Sequence, residues 1–170
     1  MTDGLVIRRL AEADLPALLD IYNHYIRETP VTFDIEEQTL DQRKRGWCDQ
    51  FTPTGRYQCF VAAQDGLAIG WACTRPFRDK KAYETSAEVS IYLHPDALGR
   101  GTGRKLYETL FAALAGADIH RLLGGVTLPN AASVALHKSL GFTEVGTYHQ
   151  VGRKFGRYWD VLWLERELNC

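Results

Sequence analysis

A basic surplus is missing from this chain: 20 Lys and Arg stand against 21 Asp and Glu, for a formal net charge of −1. Grip on nucleic-acid phosphates rests on cationic excess, so no nucleic-acid partner is expected. Long apolar runs are missing too. Nothing approaches the ~18 consecutive apolar residues of a membrane span, and Met1-Thr2-Asp3-Gly4 opens without a basic lead into an apolar stretch. The expectation is a cytoplasmic protein with no membrane partner. Cysteine is scarce, and Cys48, Cys59, Cys73 and Cys170 show no C-x-x-C spacing. Cys59 and Cys73 sit in apolar, strand-like stretches, so buried free thiols are expected rather than disulfides. The five histidines, His24 among them, have no metal-ligand spacing, and no metal is expected. Repeats, low-complexity tracts and linkers that would split the chain are absent.

What is present is ordinary globular composition, 45% hydrophobic and 24% charged over 170 residues. One domain spanning residues 1–170 can bury a core of its own at this length. Residues 5–10 read as a strand, and Leu15, Leu18, Leu19, Tyr22, Tyr25 and Ile26 then recur at helical spacing. A weaker amphipathic helix over residues 39–51 ends at Thr52-Pro53-Thr54-Gly55. Strands at 57–63 and 67–74 flank Gln64-Asp65-Gly66, whose Asp-Gly pair supplies the positive φ of a tight hairpin. Residues 84–93 alternate, with Val89, Ile91 and Leu93 on one face and Glu88, Ser90 and Tyr92 on the other. A helix carrying Leu106, Tyr107, Leu110, Phe111 and Leu114 ends near Gly116, and a strand follows at 121–128. Asn130 caps a helix that runs to Leu140, where Gly141 stops it. Strands at 144–150 and 157–168 complete the order β-α-α-β-β-β-α-β-α-β-β.

The most specific stretch is Leu98-Gly99-Arg100-Gly101-Thr102-Gly103-Arg104-Lys105, between a strand and a helix. Glycines let the backbone fold close around an anion, and the helix beyond offers unpaired N–H groups and the positive end of its dipole. It lacks the Lys-Ser or Lys-Thr of a Walker loop and the Gly-x-Gly-x-x-Gly of a dinucleotide fold. It resembles instead the pyrophosphate loop of the GCN5-related N-acetyltransferase (GNAT) superfamily. That superfamily's second signature follows as Asn130-Ala131-Ala132-Ser133-Val134-Ala135-Leu136-His137-Lys138-Ser139-Leu140-Gly141-Phe142. The resemblance implies an α/β (α+β) fold with a central, mixed but mostly antiparallel sheet of about seven strands flanked by about four helices. Leu98 stands where the superfamily usually carries Gln or Arg, so any side-chain role there is absent.

Further stretches resemble the branch containing the phosphinothricin and methionine sulfoximine N-acetyltransferases. They are Ile21-Tyr22-Asn23-His24-Tyr25-Ile26, Thr32-Phe33, Ala82-Tyr83, Ala87-Glu88, Leu128-Pro129-Asn130, Gly152-x-Lys154-Phe155-Gly156 and Trp159-Asp160. That resemblance implies acetyl-CoA as co-substrate, N-acetylation of the α-amine of a small amino acid, and a homodimer whose partner subunit helps close the pocket. Acetyl transfer needs a base for the amine and a donor for the oxyanion or leaving thiolate. The resemblance makes Glu88 the general base and His137 the donor, in one or other of those two roles. It makes Ile91, Leu93, Gly99, Arg100, Gly101, Thr102, Gly103, Arg104, Asn130 and Ser133 the coenzyme contacts. Acceptor contacts are Phe33, Arg78, Lys80, Tyr83 and Tyr92, of which Arg78 and Lys80 lie in the basic stretch Arg75-Pro76-Phe77-Arg78-Asp79-Lys80-Lys81. Close relatives carry Arg where Lys80 stands, which removes a bidentate partner for an acid group. Methionine sulfone or sulfoximine is the nearest alternative acceptor. A protein or peptide amine and a non-catalytic acyl-CoA-binding module are the more distant readings.

Overall fold

The computed structural model describes residues 4–168, so Cys170 lies outside the described residues. Its seven strands form one sheet in the order β1-β2-β3-β4-β5-β7-β6. They are β1 (Leu5–Arg9), β2 (Cys59–Gln64), β3 (Leu67–Pro76), β4 (Ser86–Leu93), β5 (Arg121–Thr127), β6 (Thr143–Lys154) and β7 (Arg157–Glu167). The helices are α1 (Leu15–Glu28), α2 (Leu40–Trp47), α3 (Thr102–Ala113) and α4 (Ala131–Ser139). All neighbouring strands are antiparallel except β4 and β5, which run parallel. Element order and mixed sheet agree with the sequence reading.

Strand alternation divides the core in two. One face carries Val61, Trp71 and Cys73 against Leu15, Leu18, Ile21 and Trp47 of α1 and α2. The other carries Ala62, Ala72, Ala87 and Val89 against Leu106, Tyr107 and Leu110 of α3. Opposite faces follow from the two-residue period of a strand. The hairpin between β2 and β3 turns at Asp65 and Gly66, both at positive φ (51° and 85°). Cys59 and Cys73 lie opposite each other in that hairpin as buried free thiols, and Cys48 is a half-buried one.

Some boundaries moved. α2 is shorter than its apolar pattern: Thr39 and Gln42 form a capping box at its start, and the helix stops at Trp47 rather than Phe51. β6 is longer than expected and runs on to Lys154. Its pairing with β7 shifts between Tyr148 and Gly152, where Gln150 adopts φ 54° and its N–H donates to Asp160 Oδ1 at 2.7 Å. A bulge, not a strand end, explains the break in alternation.

Leu110 is wholly buried beneath the sheet. Leu110→Ala is expected to cost about 2–5 kcal/mol, read as a lower urea midpoint with an unchanged slope.

Candidate active site

β4 and β5 pair only at Ser86–Arg121, Ala87–Leu122 and Glu88–Leu123, after which no pairing joins them. β4 continues to Leu93 against β3, and β5 continues to Thr127 against β7, so the sheet opens at its centre. The opening is a narrow cleft of ≈ 50 Å³, with Ser90 and Tyr92 on one wall and Gly125 and Thr127 on the other. His94 N–H donates to Ile69 O across β3 at 2.8 Å. By the alternation of an antiparallel pair, Ile91 and Leu93 turn their backbone groups away from β3, toward the opened side. The Leu93 carbonyl accepts the Tyr25 hydroxyl at 2.7 Å.

Beyond the strand, Gly99 and Gly101 take φ of 74° and 78°, a region side-chain-bearing residues avoid. α3 then starts at Thr102, and its loop-end bond is Lys105 N–H to Gly101 O. No side chain caps this terminus, so the N–H groups of Thr102, Gly103 and Arg104 have no intrahelical acceptor and suit an anion. Gly103 has a second job: a Cβ there would meet Leu136 at 3.2 Å and Ile91 at 3.4 Å, so its smallness lets α3 rest against α4 and β4. Arg100 is exposed, and Arg104 pairs with Glu108 at 3.1 Å on the helix surface. Leu98 is exposed as well. At the head of α4, Asn130 Oδ1 accepts from Ser133 N–H at 3.1 Å, and both residues line the cleft.

Glu88 is half-buried at the last β4–β5 pair, where the cleft begins. Burial raises its carboxyl above the ordinary range, and the charges of Arg78 and Arg75 hold that rise down. Arg75 lies directly opposite Glu88 in the β3–β4 register.

His137 is not a solvated helix residue; it is 3% exposed. Gly124 on β5 makes room for its ring, since a Cβ there would sit 2.9 Å from Nε2. Nδ1 lies 2.8 Å from the Ser133 carbonyl, which can only accept, so the proton is on Nδ1. Burial lowers the imidazole's pKa and keeps it neutral. Nε2 therefore accepts the Tyr107 hydroxyl at 3.3 Å. In this tautomer Nε2 is an acceptor, so His137 meets the cleft through the Tyr107 hydroxyl. Tyr107 lines the cleft and was missed because it falls on the apolar stripe of α3, where a phenol reads as core.

The acceptor residues divide. Tyr92 is half-buried on the cleft wall, where its ring stacks on Trp71 at 5.0 Å and meets Tyr22 edge-on at 5.2 Å, and burial pushes its phenol pKa up. Phe33 lies over Gly152, where a Cβ would come 2.2 Å from its ring, so it packs against β6 of its own chain. The loop bearing it is held by Tyr22 Oη to Thr32 and Asp34 and by Lys154 Nζ donating to Thr32 O at 2.8 Å. Arg78 lies over the Phe77 ring at 4.3 Å, and Tyr83 meets that ring edge-on at 5.9 Å. Lys80 is exposed at the start of the turn over Lys81–Tyr83. No cluster of three His, Cys, Asp or Glu among the described residues is placed to hold a metal.

Comparison with known proteins agrees with this geometry. The chain is 50% identical over 169 residues to a phosphinothricin N-acetyltransferase of Streptomyces coelicolor, covering 98% of each. It is 33% identical to an L-methionine sulfoximine/L-methionine sulfone acetyltransferase of Salmonella typhimurium, over 97% of this chain and 95% of that one. A Sinorhizobium meliloti phosphinothricin acetyltransferase solved with acetyl-CoA superposes with a TM-score of 0.91 at 27% identity, covering 98% of this chain and 89% of that one. The Acetyltransferase (GNAT) domain family matches residues 7–163, and this chain, whose sheet opens between β4 and β5, belongs to that family of acetyltransferases.

Proposed function

We propose that this protein, as one domain, transfers the acetyl group of acetyl-CoA directly to the α-amine of a small amino acid such as the herbicide phosphinothricin. One observation carries the reading: Glu88 stands at the last β4–β5 pair, two residues before Ser90 of the cleft wall, with its basicity raised by burial, in a chain half identical to a phosphinothricin N-acetyltransferase. Bound coenzyme supplies a thioester carbon for the amine to attack. Backbone N–H groups from Gly99 to Arg104 cradle its pyrophosphate, with Arg100 and Arg104 adding positive charge. Ile91 and Leu93 offer backbone groups to its arm, and Asn130 and Ser133 border it. Support comes from the positive φ of Gly99 and Gly101 and from the uncapped α3 terminus.

The α-ammonium of a free amino acid is more basic than the about 7.7–8.0 of a peptide amino terminus, so nearly all of it must lose a proton near neutral pH before it can attack. Glu88 takes that proton, directly or through water. Tyr107 and His137 form the acid side. Because Nδ1–H is fixed on Ser133 O and Nε2 accepts the Tyr107 hydroxyl, His137 stays neutral and positions that hydroxyl. The hydroxyl turns toward the cleft to give its proton to the leaving thiolate and is reprotonated, through water, by the proton that Glu88 took from the amine. Arg78, Lys80, Tyr83 and Phe33 surround the acceptor, while Tyr92 braces the loop that carries Phe33.

Homodimer formation is supported by the edge ribbon of β6 and β7. Val145, Tyr148, Val151, Phe155 and Tyr158 are each more than half exposed there, an apolar surface that a second copy would cover. Light scattering on the purified chain is expected to return twice 19.2 kDa, and Tyr148→Asp with Val151→Asp the monomer mass.

Thiol release from acetyl-CoA against L-phosphinothricin, L-methionine sulfoximine, L-methionine sulfone, common amino acids, polyamines and a short peptide tests the activity. One oxidised or phosphinic amino acid is expected to reach a kcat/KM of about 10⁴ M⁻¹s⁻¹ or more. Preference for the peptide, or coenzyme binding with no thiol release for any amine, would replace the proposal. Ionised Glu88 is the base, so activity should rise with pH through its raised pKa and show an acid limb above the ordinary carboxylate range. Glu88→Gln is expected to lower kcat by about 10²–10⁴ and to keep acetyl-CoA binding. Turnover unchanged between about pH 6 and 9 in that variant would remove Glu88 from the mechanism. Tyr107→Phe should lower kcat by about tenfold or more with little change in the KM for acetyl-CoA; an unaltered kcat would leave thiolate protonation to solvent.

A further inference from the structure

Two buried donors in this protein have nothing to donate to. Arg43 Nε and Trp47 Nε1 are the buried side-chain nitrogens without a hydrogen-bond partner among the described residues. Both residues line one cavity of ≈ 220 Å³ between α2 and the end of β3, with Gln38, Gln42 and Arg75. Arg43 is 7% exposed, its guanidinium lies 3.9 Å from the Tyr22 ring centre and 3.8 Å from that of Trp47, and Nη1 donates to Gln38 Oε1 at 3.0 Å. Among the described residues no carboxylate is in an ion pair with Arg43 or Arg75. Burial, with the charge of Arg75 adding to it, brings the Arg43 pKa down to about 10. Arg75 acts on the Glu88 carboxylate one strand away and both guanidiniums act on the buried Cys73 thiol, while Arg43 Nε and Trp47 Nε1 still face the cavity without an acceptor.

Arg75 joins this cavity to the proposed chemistry. It pairs with Glu88 in the β3–β4 register, and Trp71, Cys73 and Arg75 share the sheet face of Tyr92, Ser90 and Glu88. Neighbouring strands lie about 4.8 Å apart, so the basic wall begins one strand away from the base.

We propose that this cavity is a subsite for a second acid group of the acceptor, a side-chain carboxylate or phosphinate held by Arg75 and Arg43, on an amino acid whose amine lies at Glu88. This rests on the reading of Glu88 as the base. The planar guanidinium fork matches such oxyanions in a way an ammonium does not, and an acid oxygen satisfies the donors left open on Arg43 and Trp47. The volume falls below the ~300–1,000 Å³ of sites for drug-sized ligands, so it admits an acid group and a short stem. Arg78, the charge acting most strongly on Glu88, is left for the α-carboxylate. The subsite thus selects acceptors with acidic side chains over the neutral sulfone or sulfoximine of methionine.

Two measurements on the full chain test this. The first is the ratio of kcat/KM for L-phosphinothricin to that for L-methionine sulfone, in wild type, Arg75→Gln and Arg75→Lys. Loss of Arg75 also alters the basicity of Glu88, but that change touches both acceptors and cancels in the ratio. Arg75→Gln is expected to lower the ratio about tenfold, through KM for the acidic acceptor, and Arg75→Lys to retain part of it. The second is a tryptophan-fluorescence titration with glutarate, a diacid without an amine, read through Trp47. Saturable binding in wild type, lost in Arg75→Gln at unchanged thermal unfolding, supports the subsite. An unchanged ratio, or glutarate binding that survives Arg75→Gln, overturns it. Turnover of no amino acid together with Arg75-dependent glutarate binding would fell the proposed activity and leave the anion cavity standing.

Discussion

The architecture depends on a pairing that stops short. β4 and β5 share three residue pairs and then part, although each strand has several residues still to run. They can do so because β3 holds β4 along seven pairs and β7 holds β5 along seven more, so the outer ladders carry the sheet while its middle opens. Backbone groups that leave a ladder must find other partners. Tyr25 takes the carbonyl of Leu93, and Asn130 caps the helix that follows β5. What stays open faces the cleft. The glycine loop and α3 begin where β4 ends, and α4 begins just past the end of β5, so both helix N-termini gather at the open end. Placement of the proposed coenzyme contacts is thus a consequence of topology before it is a matter of side chains.

Glu88 stands where that opening begins, and its electrostatics are a balance. A catalytic carboxylate must be basic enough to take a proton from an amine and still be ionised when the amine arrives. Burial favours the first property and arginines favour the second. In this chain burial is the larger effect and Arg78 and Arg75 temper it, one from the loop after β3 and one from the strand register. The same logic runs opposite at His137, where burial favours the uncharged imidazole and the Ser133 carbonyl fixes its tautomer. A neutral imidazole held as acceptor beside a phenol differs from a solvated one, whose tautomer is free to exchange.

Periodicity and punctuation made most of the fold legible. The hairpin at Asp65-Gly66, the glycine loop, the Asn130 cap and the alternation of β4 are local signals, and each was realised where it was read. Signals that depend on partners far along the chain were not. The continuation of β6 past Gln150 is visible only once Asp160 of the neighbouring strand is seen taking the stray N–H. Tyr107 looked like one more apolar-stripe residue, because its partner, His137, lies thirty residues on. Alternation tells which face Tyr92 takes, not that Trp71 and Tyr22 pack against its ring on the cleft wall. The basic stretch from Arg75 to Lys81 was legible as charge. Its division, with Arg75 turned onto the sheet face and Lys80 left in solvent, follows from where β3 ends.

Two arginines show how far environment decides what a guanidinium does. Arg8 meets both oxygens of Asp14 at 2.7 Å, and Asp14 also accepts Ala11 N–H, so that charge pair is closed and ties β1 to the start of α1. Arg43 is more deeply buried than Arg8 and has rings instead of a carboxylate. Cation–π contacts contribute about 0.5–2 kcal/mol each, against a desolvation cost of several kcal/mol for a buried ion. The aromatic cage of Tyr22, Trp47 and Trp71 therefore offsets only part of that cost and leaves Nε turned to a cavity. If structure alone were served, a carboxylate on α2 or β3 would close the account more cheaply. An arginine held by its faces, with its edge still open, retains its donors for an anion that the chain itself does not supply.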